Sequence, residues 1–301
     1  MPYRVLVTGA TGNVGHAVVD ALLRRGAHVR AASSTRERIL PCDPNLESVR
    51  LDFWDPSTFP GAVADCDGLF LLRPPAIAKV RQTLLPFLTS ARAAGIRHVA
   101  FLSVQGAEHN RFIPHYTIEQ ALRASSGGYT LLRPGFFSQN LGDAYRQDIA
   151  QDARLYVPAG DGRVAFVDTR DIAEAAAICL TDPSPHDRKA YTLTGAHALS
   201  FHEVAALLSG ILERPIRYEP ASVLGYARHL RKRGIPLAQV AVLCALHVGL
   251  RYGQAEHIDP TLSHLLGAPP RSLPDYVREY RELWCPPADA AAGCPPRLRR
   301  S

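Results

Sequence analysis

Three glycines near the start of the chain stand at i, i+3 and i+6 in Gly9-Ala10-Thr11-Gly12-Asn13-Val14-Gly15. Glycines at this spacing do backbone chemistry: they allow a tight turn, let an anion approach main-chain N–H groups, and let a following helix pack closely. A second group lies in mid-chain, where His115 and Tyr116 precede Glu119 and Gln120. An imidazole and a phenol can each hydrogen-bond a hydroxyl or pass a proton. Ser33, Ser34 and Arg36 offer hydroxyls and a cation to a phosphate, and Asp52-Phe53 offers a carboxylate and a ring to a flat nitrogenous base.

These groups need a scaffold, and the hydrophobic pattern supplies one. Arg4-Val5-Leu6-Val7 reads as a strand running into the glycines, and Val14, Val18, Ala21 and Leu22 share one face of the helix that follows. Strand, glycine turn and helix make a dinucleotide-binding unit with the pyrophosphate at the helix N-terminus, held by Gly9, Thr11, Gly12, Asn13, Val14 and Gly15. A second strand over 27–32 ends in Ser33-Ser34-Thr35-Arg36, with no acid before Glu37. An acid there would bind a free ribose 2′-hydroxyl, whereas hydroxyls and arginine accommodate a 2′-phosphate, so NADP(H) is favoured over NAD(H). Arg36 and Arg38 would equally suit the start of a solvated helix.

Further strands are expected at 46–51, 68–72, 99–102 and 129–133, with helices over 76–94 and 115–124. Asp52 and Phe53 then form a lip over the adenine. Leu72, Arg73, Pro74, Ser103 and Val104 fall at the carboxyl ends of strands, where ligands bind, and Pro134, Gly135 and Phe136 follow the sixth strand. The alternation predicts an α/β fold: a Rossmann-like doubly wound parallel sheet, covered by helices on both faces. Beyond Gly135 the rhythm changes to short strands at 163–166 and 191–193 and helices at 170–180, 201–212 and 237–251. Residues 1–135, with returns near 160–195, form the NAD(P)-binding domain in this reading. Residues 136–284 form a smaller C-terminal α/β substrate lobe, with Phe137, Asn140 and Tyr226 as pocket candidates, and 285–301 form a disordered tail. Asp168, Arg170 and Asp171 read as a helix cap.

Composition narrows the function classes. The chain has 301 residues, 47% hydrophobic and 21% charged, with a formal net charge of +6. The one dense basic run, 228–233, reads as a solvated helix end, and no nucleic-acid partner is expected. Six cysteines with no Cys-x-x-Cys pair argue against a metal site or a disulfide scaffold and fit a reducing cytoplasm. No positively charged n-region precedes the first strand, and the longest apolar stretch, 237–250, contains Gln239 and His247 and is too short to span a bilayer. A monomer or homodimer acting on a small aromatic or conjugated molecule is the expected state.

Over residues 3 to about 283 the chain resembles the NmrA-like branch of the atypical short-chain dehydrogenases. The resemblance rests on the glycine turn, on 69–75, on His98-Val99-Ala100-Phe101-Leu102-Ser103, and on Pro114-His115 with Glu119. It continues through 129–137, Phe166-Val167-Asp168-Thr169-Arg170-Asp171-Ile172-Ala173 and Tyr191-Thr192-Leu193-Thr194-Gly195. It implies an NAD(P)-binding domain and a C-terminal lobe covering the nicotinamide, but leaves the activity open between reductases and redox-sensing regulators. Short-chain dehydrogenases generally use Tyr-x-x-x-Lys, in which lysine lowers the tyrosine pKa and holds the nicotinamide ribose. Lys79, Lys189 and Lys232 are the only lysines here, and none follows a tyrosine by four residues. Two residues could substitute: Tyr116, with Gln120 in the lysine position, or His115, which aligns with a lysine that relatives carry four residues ahead of a helical glutamate. His115 is the preferred catalytic candidate. Without the dyad, hydride delivery to a quinone, azo or enone acceptor is favoured, because placement matters most and solvent can complete protonation. The competing readings are a non-catalytic NADP(H) redox sensor and an isomerase or dehydratase using NADP+ transiently.

Overall fold

Short apolar runs bounded by Gly, Pro and Asp set the strands, and the computed structural model describes residues 3–34 and 43–285. Two compact units divide the chain. The first comprises residues 1–135, 167–194 and 259–270, and the second 136–166, 195–258 and 271–301.

In the first unit, β1 (Arg4–Val7), β2 (His28–Ser33), β3 (Leu46–Arg50), β4 (Gly68–Leu72), β5 (His98–Leu102), β6 (Gly128–Pro134) and β7 (Lys189–Leu193) form one sheet of order β7-β6-β5-β4-β1-β2-β3. Every pairing is parallel. Among the described residues six α-helices belong to this unit: α1 (Asn13–Arg24), α2 (Phe59–Val63), α3 (Leu84–Ala93), α4 (Pro114–Ala124), α5 (Thr169–Thr181) and α6 (Thr261–Leu266). Phe59, Phe87 and Ile118 from α2, α3 and α4 pack with Leu6, Leu69, Phe101 and Leu131 of the sheet, while α1 packs against α5. The strand order reverses between β1 and β4, so their carboxyl ends open the crevice in which a doubly wound sheet binds ligands.

Two details differ from the sequence expectation. In place of one helix over 76–94, a 3-10 turn at Val80–Gln82 precedes α3. Pro86 explains the break: inside a continuous helix it would lack an N–H and clash with the preceding turn, whereas in the first turn of α3 no N–H is needed. Residues 259–270 fall in the first unit, not in the C-terminal lobe. There α6 packs on α5 and β7, and the Asp259 N–H donates to Thr194 Oγ1 at 2.8 Å. A six-residue helix does not carry enough pattern to say which surface it covers.

The second unit holds a three-stranded sheet of Ala198–Ser200, Arg163–Val167 and Phe136–Phe137, and a parallel pair of Arg154–Leu155 with Arg217–Tyr218. Helices Arg146–Asp152, Phe201–Leu212, Val223–Lys232, Leu237–Arg251 and Leu273–Glu279 surround a core containing Phe136, Tyr145, Phe201 and Trp284. The basic run ends the helix Val223–Lys232, where His229 and Arg233 both reach Asp148. Cys285, expected to begin a disordered tail, instead caps the 3-10 turn Arg281–Trp284, and residues 286–301 lie outside the described residues. Among the described residues no helix is long and apolar enough to cross a membrane.

Candidate functional site

Thr8 anchors the turn that follows β1. It is fully buried, its N–H and hydroxyl both meet the Phe70 carbonyl (3.0 and 3.1 Å), and its hydroxyl accepts the Leu72 N–H at 2.8 Å. One short side chain thus ties the carboxyl ends of β1 and β4 together, a role the sequence pattern did not single out. Gly9 adopts φ +65°, in the left-handed region, and the Gly12 N–H closes the turn onto the Gly9 carbonyl at 3.0 Å. A Cβ on Gly15 would overlap that same carbonyl, so Gly15 is required by helix-on-turn packing. Gly12 differs: a Cβ there would make only an ordinary contact, 3.5 Å from Gly9 O. Thr11, Gly12 and Asn13 are exposed, while Val14 and Gly15 are buried. No side chain caps α1 and no acid occupies its first turn. The helix therefore presents its first-turn N–H groups and positive dipole end with no built-in anion.

At the next strand end, Leu72 packs its side chain against Gly9, and Arg73 and Pro74 follow, each half-buried. The Arg73 guanidinium is held along one edge. Nη1 donates to the carbonyls of Pro74 (3.0 Å), Pro75 (3.2 Å) and Ile77 (2.8 Å), and Nε lies 3.3 Å from His115 Nε2. Because a guanidinium only donates, His115 Nε2 must supply a lone pair, which puts the ring proton on Nδ1. Burial, reinforced by the Arg73 cation, pushes the His115 pKa down to about 4. At neutral pH the ring is a neutral hydrogen-bonding group, not a proton donor. Tyr116 is half-buried beside it, its N–H bonded to the Ile113 carbonyl at 3.2 Å.

Ser103 and Glu119 form a separate structural assembly. The Ser103 hydroxyl, 2% exposed, donates to Glu119 Oε1 at 2.6 Å, so its side chain is committed to the protein rather than open to a cofactor as expected. Arg133 grips both Glu119 oxygens, at 3.0 and 2.6 Å, and reaches Glu108 at 2.9 Å. A charged residue inside the apolar strand Tyr129-Thr130-Leu131-Leu132-Arg133 was the available signal for this cluster. Val104 stays half-buried at the edge, Pro134 is buried, and the half-buried Gly135 donates its N–H to the Leu193 carbonyl at 2.9 Å.

On the other side of β1, Ser33 pairs in register with Arg50, and Ser34 is exposed. Arg36 lies outside the described residues. Asp52 Oδ1 accepts the Trp54 N–H at 2.9 Å, and beyond this turn Phe53 does not stand outward as expected. Phe53 points into the core, edge-on to Phe87 with ring centroids 5.2 Å apart, whereas Trp54 is 56% exposed. Phe53 therefore belongs to the core, and Trp54 is the exposed aromatic of this turn.

The second unit likewise withdraws two expected ligand contacts. Phe136 packs edge-on to Phe166 at 5.6 Å, and Tyr226 lies 5.1 Å from His247, both buried in that unit's core. His247 Nδ1 donates to the Leu243 carbonyl at 2.7 Å, which leaves Nε2 to accept from the Tyr145 hydroxyl. Phe136 follows the end of a strand, where pocket residues also fall, and sequence alone does not separate a pocket aromatic from a core one. Phe137 and Asn140 are half-buried. Asp168 caps α5 through the Arg170 N–H, as the sequence suggested.

Comparison with known proteins places this geometry in context. The model of the NmrA-like family matches residues 1–263. The chain is 31% identical over 287 residues to a (4-alkanoyl-5-oxo-2,5-dihydrofuran-3-yl)methyl phosphate reductase of Streptomyces griseus, covering 94% of this chain and 99% of that protein. It is 30% identical over 288 residues to an NAD(P)H azoreductase of Xenophilus azovorans, covering 92% and 97%. Among solved structures, an NADPH-dependent quinone oxidoreductase of Escherichia coli complexed with NADPH superposes with a TM-score of 0.80 at 25% identity, covering 91% and 99%.

Proposed function

The chain belongs to the NmrA-like family, and from that premise we propose that it is an NAD(P)H-dependent reductase delivering hydride to a planar, conjugated small molecule. The observation that carries this reading is the cradle from Gly9 to Gly15. A left-handed Gly9 and a Gly15 with no room for a Cβ bring an uncapped helix start to the surface beside the sheet's switch point. Gly12, which nothing within the turn requires, leaves space for the pyrophosphate to approach the backbone.

In this reading Thr11, Asn13 and Val14 complete the phosphate contacts, and Ser33 and Ser34 face the 2′-phosphate with Arg50 beside them, which favours NADP(H). Asp52 and Trp54 meet the adenine. Leu72, Arg73, Pro74, Val104, Pro134 and Gly135 surround the nicotinamide half, and His115 Nδ1–H reaches toward its ribose. The reduced cofactor supplies hydride from nicotinamide C4. The chain's share is placement: a neutral His115 and a Tyr116 with no lysine four residues on leave solvent to supply the proton, which suits quinone, azo and enone acceptors. The names of the azoreductase, furan reductase and quinone oxidoreductase relatives support this substrate class. Phe137 and Asn140 are the remaining substrate-pocket candidates. Buried Cys66, Cys179 and Cys244 are free thiols, which suits a reducing cytoplasm.

The test is NADPH oxidation by the purified protein against a panel of quinones, azo dyes and enones. Acceptor-dependent oxidation is expected. Tight NADPH binding with no turnover on any acceptor would transfer the protein to the redox-sensor class.

A further inference from the structure

Arg73 carries a charge that no described residue cancels. Its Nη1 and Nε donate to three main-chain carbonyls and one imidazole, all neutral. Among the described residues no carboxylate pairs with it, and the Nη2 group has no partner. This is an unusual way to hold an arginine, because a half-buried cation normally draws an acid. The carbonyl dipoles and the imidazole lone pair instead replace part of the lost hydration while leaving the net charge intact. They also immobilise the side chain. Burial lowers the Arg73 pKa, but a guanidinium starts high enough to stay charged at neutral pH.

The location gives that charge a target. Arg73 directly follows β4, on the side of the switch point away from Ser33 and Ser34, and Leu72 before it touches Gly9. A dinucleotide whose pyrophosphate sits on the glycine turn, with its adenosine toward β2, extends its other half over the carboxyl ends of β4 and β5. The oxidised nicotinamide ring bears a positive charge and the reduced ring bears none.

We propose that Arg73 is a fixed cation at the nicotinamide end of the cofactor site, that it makes the protein bind the reduced cofactor more tightly than the oxidised one, and that His115 is the residue that positions it. The proposal rests on the reading of this crevice as an NAD(P)H site. Nη2 donates to an oxygen of the nicotinamide-side ribose or phosphate, and the like-charge repulsion falls on the pyridinium form alone. A partly screened charge in the contact layer disfavours that form by roughly five- to tenfold. The device helps a reductase twice, by favouring the hydride-donating state and by loosening the spent cofactor. His115 suits its part because it is neutral. A lysine in its place would set a second cation against the guanidinium, and a carboxylate would cancel the charge.

The experiment measures dissociation constants of NADPH, NADP+, NADH and NAD+ for the full chain by fluorescence titration, with adenosine 2′,5′-bisphosphate as a ligand lacking the nicotinamide. The native protein is expected to prefer each reduced form. Arg73→Met should lower the oxidised-to-reduced ratio of dissociation constants by five- to tenfold, equally for the phosphorylated and unphosphorylated pairs, with bisphosphate binding unchanged. Arg73→Lys, which keeps the charge, should retain most of the preference. His115→Glu should lower the ratio as Arg73→Met does, while His115→Asn, which keeps a neutral acceptor, should hold it within about twofold. An unchanged ratio in Arg73→Met, or an equal loss of bisphosphate affinity, overturns the proposal. If Arg73→Met does not fold, an unchanged ratio in His115→Glu overturns it instead. Failure of the native protein to bind any of the five ligands would refute the cofactor reading itself.

Discussion

Arg133 ends β6 and Arg73 follows β4, and α4 meets each of them with a different kind of side chain. Four residues apart on the helix, Glu119 takes Arg133 and His115 takes Arg73. The first contact is charge against charge, with Glu119 fully buried, a second acid at Glu108 and the Ser103 hydroxyl filling the remaining acceptor position. The second is charge against a neutral ring. A buried, compensated ion pair has nothing left to offer a ligand and serves to fix α4 against β5 and β6. An uncompensated one keeps its charge and its Nη2 donors available. One helix thus carries a charge-paired arginine contact near its middle and a charge-neutral one near its start.

The sharpest way to break this contrast is to remove the acid. Glu119→Ala leaves Arg133 with Glu108 alone and Ser103 without its acceptor, and should cost about 3 kcal/mol in denaturant-unfolding stability, the low end for breaking a buried pair because Glu108 still meets the guanidinium. Replacing Arg73 with Met should cost far less, because its partners are carbonyls near the surface and a neutral ring. If the two variants lose similar stability, the distinction between a structural and a ligand-directed arginine does not hold.

The glycine turn divides the same way and sharpens the comparison at a smaller effect. Gly15 is held by the fold, since any side chain meets the Gly9 carbonyl, while Gly12 has room within the turn. Gly12→Ala should therefore leave the melting temperature within a few degrees of the native value but weaken NADPH binding by at least about tenfold, because the methyl group stands where the phosphate approaches. Gly15→Ala should lower both. Native-like NADPH affinity in a well-folded Gly12→Ala protein would remove the cradle from the binding site.

What the sequence made legible follows from how local each feature is. The strand, glycine turn and helix at the start are written in consecutive residues, and so are the hydrophobic runs of β4 and β5 and the cap at Asp168. Side-chain direction in loops is not. Whether Phe53 or Trp54 faces outward depends on the Asp52 turn, and whether Ser103 is free depends on a glutamate sixteen residues away. The Arg73–His115 pair joins residues forty-two apart and follows no spacing rule, although both residues stood out singly. Phe136 and Tyr226 show the converse problem: an aromatic near an expected pocket belongs to the core once the neighbouring ring of His247 is placed.

The smallest effect separates the two arginine contacts by pH. His115 is depressed to about 4 from an ordinary value of 6.5, so the folded protein favours its neutral form. Above pH 6.5 the ring is neutral in both folded and unfolded chains, and its contribution to stability is complete. As pH falls toward 4 the unfolded chain takes up a proton that the folded chain refuses, and stability is lost at about 1.4 kcal/mol per pH unit for each such group. His98 and His247, also pushed down to about 4 by burial, add to the same slope. His115→Asn should remove one proton's share of it between pH 6.5 and 5, measured by denaturant unfolding at half-unit steps. An unchanged slope would mean that His115 is protonated in the folded protein near pH 6. It would then oppose Arg73 rather than accept from it, and the ring would regain the proton-donor role that its burial argues against.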